Sequence, residues 1–137
     1  MTRRSPDTLT GHRLTLGMLG LVLTDVAGGL LAVGSGVNTW GEAWGSRALL
    51  AAPLPMIVVQ LLLTWLAVRH DRRWAAVPAG LLSAACLVSV VSGFFDGGLG
   101  NDELSSPLVA FQALLLGVTG AVGLLAAARG RELLRRT

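Results

Sequence analysis

The chain has no lysine and no tyrosine, a single cysteine, and charged residues at only 14% of its 137 positions. With Cys86 alone, neither an intramolecular disulfide nor a thiolate metal cluster can be built from one copy. Soluble domains carry charge at roughly a quarter of their positions. A chain this short and 53% hydrophobic cannot hide its apolar surface in a soluble core. The formal charge of +3 does not point to nucleic acid, because the basic residues stand in short clusters between apolar runs. Metal-ligand spacing, a phosphate loop and nucleotide motifs are missing too. No metal, no cofactor and no catalytic residue is therefore assigned. All eleven basic residues are arginine and alanine, glycine and valine abound, a bias expected of a G+C-rich bacterial genome.

What the chain does have is apolar runs. A helix crossing a hydrocarbon core of roughly 30 Å needs about 20 apolar residues. Four segments qualify, at about 14–35, 48–68, 75–95 and 107–128. The links "NTWGEAWGSR", "RHDRRW" and "DGGLGNDELSS" are short, so each helix should run antiparallel to the next. The expected fold is an all-α integral membrane protein, a four-transmembrane-helix antiparallel bundle in one polytopic domain over 1–137. The basic N-terminus leads into no short apolar core with a small-residue cleavage site, so the first run is expected to be a retained helix.

Arginine placement sets the expected direction. With both termini in the cytoplasm, ten arginines face inward and only Arg47 faces outward, beside Glu42, Asp96, Asp102 and Glu103. That predicts an N-in/C-in, multi-pass protein of the bacterial cytoplasmic membrane. Ser106 and Pro107 suit the start of the fourth helix, and Pro78 suits the first turn of the third. Pro53 and Pro55 are expected to bend or loosen the outer end of the second, since Pro55 cannot bond to the Ala51 carbonyl. A shift of 60 residues aligns Arg13 with Arg73, Ser46 with Ser106 and Arg69 with Arg129, which raises a duplicated helical hairpin. Small residues four apart, as in Ala113–Gly117–Ala121, mark helix contacts within the chain or with another subunit.

Asp25 lies near the midpoint of the first run, where an ionised carboxylate costs at least about 2.5–3.5 kcal/mol. It should be hydrogen-bonded to other helices or bathed by a water-filled cavity. Counting from helix ends places Gln60, Ser83, Cys86 and Thr119 at similar depth, with Gln112 a turn and a half further out. These six residues are the candidates for a proton or substrate site; the same set could instead be a clasp that fixes helix register. Trp40, Trp44, Glu42 and Asp96 are candidates for an outer mouth, the tryptophans also being expected as interfacial anchors. Both histidines, His12 and His70, lie half a membrane from Ser83 and Cys86, so no nucleophile–base set forms.

The stretch "VLTDVAGG" resembles the first helix of the small multidrug-resistance transporters, with Asp25, Val26 and Gly28 at the matching positions. In that family the mid-helix acid is a glutamate, and the resemblance implies an acid that exchanges protons for cationic drugs. It covers about eight residues; the chain lacks tyrosine and the tryptophan signature of the family's third helix, and adds an arginine-rich inner loop. Three readings follow. One is proton-coupled passage of a small solute or cation through Asp25. Another is a non-catalytic subunit or assembly factor, with a homo-oligomer or larger membrane complex as partner. The third is a membrane-embedded isomerase, cyclase or binder of a lipophilic small molecule. The lipid bilayer is a partner in all three, and nucleic acid in none.

Overall fold

The computed structural model describes residues 6–45, 48, 50–95 and 105–136. Four helices account for most of these: α1 Pro6–Gly34, α2 Leu54–Arg69, α3 Ala76–Phe95 and α4 Ser106–Arg135. Short 3₁₀ turns lie at Glu42–Trp44 and Arg73–Ala75, and no strand occurs among the described residues. Three segments, Leu9–Gly34, Arg73–Phe95 and Ser106–Arg135, are long and apolar enough to cross a membrane. α2 is apolar but has only 16 residues, about 24 Å at 1.5 Å per residue.

The helices pack in a ring: α4 lies against α3 and α1, and α2 closes the ring between α3 and α1. Their contacts run antiparallel. Gly11 approaches Arg129, Gly17 approaches Leu125 and Gly28 approaches Phe111, while Gly130 meets Ala79, Gly123 meets Cys86 and Gly93 meets Leu116. Spacing of three or four residues decides which face turns inward. On α1 the buried stripe is Leu14, Met18, Leu21, Asp25 and Ala32; on α4 it is Leu108, Gln112, Leu115, Thr119, Val122, Ala126, Arg129 and Leu133. Leu23, Val58, Leu87, Leu124 and Phe95 lie exposed on the outer faces. Apolar residues outside with Asp25, Gln60, Gln112 and Arg129 inside invert the pattern of a soluble domain. Together with the three long apolar helices, this points to a membrane protein.

The structure corrects several boundaries. The second segment does not become helical at residue 48: α2 starts at Leu54, with Pro53 as its N-cap and Pro55 in its first turn. The prolines therefore begin the helix and do not bend it, because neither ring needs an N–H where the first turn has no partner to offer. α1 starts earlier than residue 14, and α4 continues past residue 128 to Arg135. The N-cap of α4 is Ser105, one residue before the expected Ser106, and its side chain makes no capping bond. α1 stops where Gly36 takes a φ of 76°, a left-handed turn that glycine adopts without strain. The halves proposed for duplication are unlike: 29 residues in α1 stand opposite 20 in α3, and 16 in α2 opposite 30 in α4.

Candidate functional site

Non-helical backbone at membrane depth is tolerated only where protein buries it or it lines a cavity. The chain before α2 meets both conditions. Leu50 and Ala51 are buried, and the Leu50 carbonyl lies so close to Gly28 of α1 that any Cβ there would overlap it. This contact brings the next peptide units to α1, and the Ala52 N–H donates to Asp25 Oδ1 at 2.9 Å. One carboxyl oxygen is thereby occupied. The other, Oδ2, is buried and has no hydrogen-bond partner.

Oδ2 belongs to a shared chamber. A cavity of about 380 Å³ is walled by Asp25 and Leu21 of α1, the segment before α2, Met56 and Gln60 of α2, Val88, Ser89 and Ser92 of α3, and Gln112, Leu115, Leu116 and Thr119 of α4. Val88 and Ser92 are exposed, so the cavity reaches the surface along α3. Besides Asp25 Oδ2, the Oε1 atoms of Gln60 and Gln112 are buried without partners. Each comes from the inner stripe of a different helix, which is why three polar groups converge on one space. Thr119 Oγ1 donates to the Leu115 carbonyl at 2.8 Å and Ser89 Oγ to Met56 Sδ at 3.7 Å, so these hydroxyl protons are used inside the protein.

Of the six residues expected to share a site, the structure brings together Asp25, Gln60, Gln112 and Thr119. Cys86 lies instead in the apolar core with Leu82 and Val122, packed on Gly123, and Ser83 does not line the cavity. In the alternative reading of this set as a clasp, Asp25 would bond to side chains of other helices; its carboxyl bonds instead to the Ala52 backbone. Trp40 and Trp44 meet edge to face at 6.5 Å, and the Trp44 ring covers Gly29, away from the cavity wall. Glu42 Oε2 accepts the Thr39 N–H at 2.9 Å and holds its own turn. Asp96 lies outside the described residues.

The sequence reading missed two participants. The Ala52 N–H is one, and no side-chain pattern marks it. The other is Arg129, taken only as one of many inward arginines. It is 1% exposed and donates to the Ala67 carbonyl at 3.3 Å, to Thr10 at 3.4 Å and to Asp71 at 2.6 Å. Glu132 accepts from Thr10 and from Arg136, the latter at 2.7 Å. Arg129 thus ties α1, the end of α2 and the α2–α3 link to α4. Its place in the eight-residue buried stripe of α4 was the available signal. At the C-cap of α2, His70 lies between Trp65 and Trp74, at 6.4 and 4.6 Å between ring centroids.

Among the described residues, no group of three or more His, Cys, Asp or Glu side chains could hold a metal. In comparisons with known proteins, the chain matches no family model, no curated protein and no solved structure. The class defined by fold and site is therefore a helical protein with, among the described residues, three candidate membrane spans and a cavity that combines polar and apolar walls.

Proposed function

We propose that this protein is a four-span, N-in/C-in membrane protein that passes a small solute through the Asp25 cavity in exchange for a proton. The observation that carries the reading is the unequal state of the two carboxyl oxygens. Oδ1 is committed to the Ala52 N–H, so Oδ2 alone is left to take either a proton or a donor from a solute. One atom cannot serve both at once, and mutual exclusion is the chemical basis of coupled exchange. An acid inside a membrane span is a functional-site hypothesis by default. Among the described residues at its wall, Asp25 is the one acid and no histidine stands beside the Ser89, Ser92 or Thr119 hydroxyls, which weighs against the enzyme reading.

The test is infrared difference spectroscopy of the protein in lipid, with Asp25→Asn as the reference, followed by solute flux in proteoliposomes. A carboxyl band that titrates between pH 5 and 9, and flux that Asp25→Asn abolishes, are the expected results. A band that stays protonated throughout, with no flux, overturns the reading. One observation favours a second reading, that of a subunit or homo-oligomer. Ala113, Gly117 and Ala121 of α4 all face outward, and a Cβ at Gly117 would meet nothing within 4 Å. Such a stripe lets another helix approach closely. A stoichiometric partner in gentle purification would support it.

A further inference from the structure

We infer that the cavity selects a small organic ion bearing a primary ammonium group, an alkyl- or arylalkyl-ammonium, over quaternary ammonium, guanidinium and metal cations. The inference rests on the solute-binding reading of Asp25 above and specifies its ligand.

The argument is a count of donors and acceptors. Three oxygens around the cavity, Asp25 Oδ2, Gln60 Oε1 and Gln112 Oε1, are buried and unpartnered. Their residues are 0%, 2% and 6% exposed. Among the described residues, no arginine or histidine lines the cavity to offset the carboxylate; the Thr119 and Ser89 hydroxyl protons are already used, and the amide N–H₂ groups of Gln60 and Gln112 donate to none of the three oxygens. The chamber therefore has one carboxyl, which becomes negative when it releases its proton, and unmet acceptors, contributed by three helices. A primary ammonium offers three N–H donors on one compact charge. A quaternary ammonium offers none and would leave all three oxygens unpaired. A guanidinium binds carboxylate best through both oxygens at once, and here the Ala52 N–H already takes one acceptor site on Oδ1 and leaves the two oxygens unequal. Hard metal ions want six or more oxygen ligands, whereas Leu21, Met56, Val88, Leu115 and Leu116 supply much of the wall. Those apolar residues suit a short alkyl or aryl tail instead. At about 380 Å³ the chamber is at the small end of ligand cavities. Exposed Val88 and Ser92 give an amphiphilic amine a way in along α3.

The experiment is calorimetric titration of the intact protein in nanodiscs with 2-phenylethylammonium, its N,N,N-trimethyl analogue, benzylguanidinium and sodium chloride. Saturable binding of the primary amine is expected, with the trimethyl analogue weaker by about 100-fold or more, since sites built on hydrogen bonds reject ligands that cannot make them. Gln60→Leu and Gln112→Leu should each weaken the amine about tenfold and leave the trimethyl analogue unaffected. The ligand series on the unaltered protein decides the matter even where a variant does not fold. Equal or tighter binding of the quaternary analogue, of benzylguanidinium or of sodium overturns the inference. If no amine binds while the Asp25 band still titrates, the ligand class is wrong and the exchange reading stands. If nothing binds and the band does not titrate, both fall.

Discussion

Replacing Arg129 by methionine keeps most of the side-chain volume and removes every donor. Hydrogen bonds to Asp71 at 2.6 Å, to the Ala67 carbonyl at 3.3 Å and to Thr10 at 3.4 Å are lost, along with the ion pair to Glu132 at 3.8 Å. A neutral hydrogen bond contributes about 1 kcal/mol net, and one to a charged group about 1.5–3 kcal/mol. Asp71 is 65% exposed, so solvent screens its share to about 1 kcal/mol or less. The long bonds to Ala67 and Thr10 add roughly 1–2 kcal/mol together. Ala67 also lies in the last turn of α2, where carbonyls lack helical partners and a cation is favoured. The expected loss is about 2–3 kcal/mol, or roughly 6–15 °C in Tm for a chain of this size. Tryptophan fluorescence on heating reports it directly, because Trp65 and Trp74 stand at the same end of the bundle as His70 and Asp71. Arg131→Met on the exposed face of α4 is the control and should leave Tm within about 1–2 °C, as surface substitutions do. If the two variants melt together, Arg129 does not fasten the helices and its buried bonds have no net worth.

Asp25→Leu strands the Ala52 N–H and should cost about 1–3 kcal/mol, whereas Asp25→Asn keeps an acceptor for it and should melt near the unaltered protein; equal losses in thermal unfolding would refute the backbone bond. Gly28→Ala forces a Cβ into the Leu50 carbonyl, so the segment before α2 must shift. The expected readout is a displaced Asp25 carboxyl band in the infrared spectrum, and an unchanged band would refute the close approach. Cys86, fully buried in the core, should resist maleimide in the folded protein and give a silent background for mapping direction. Against it, Glu42→Cys should label from outside intact cells with an impermeant reagent and Asp71→Cys should not; the reverse pattern would invert the topology.

Helix number and core faces were legible because their causes are local. Apolar runs of about 20 residues and stripes at three-to-four spacing can be read directly, and they brought Asp25, Gln60, Gln112 and Thr119 to one chamber. Counting depth alone also nominated Ser83 and Cys86. Depth is one coordinate of a helix position and rotation is the other, and Cys86 turns toward Gly123 on α4. The start of α2 was misplaced because apolar character does not distinguish a helix from buried extended backbone. Pro53 and Pro55 carried the information, as start signals rather than breakers. The bond between Asp25 and Ala52 goes with a close approach at Gly28, further along α1, whose missing Cβ admits the Leu50 carbonyl.

The two buried polar clusters differ in a way that separates architecture from function. Around Arg129 donors meet acceptors on α1, α2, the following link and α4, as a fastening between helices requires. Around the cavity, oxygens on α1, α2 and α4 face a common space and remain unmatched. Helix register could have been fixed by pairing the Asp25 carboxyl with the Gln60 amide, since interhelical polar bonds stabilise membrane bundles by about 0.6–2 kcal/mol. The bundle forgoes that pairing and spends a backbone N–H on one carboxyl oxygen alone. Unmet buried acceptors destabilise a fold by about 1–3 kcal/mol each. A chain that already fastens its helices through Arg129 gains nothing structural from tolerating three of them. The ammonium proposed above as occupant would supply the missing donors.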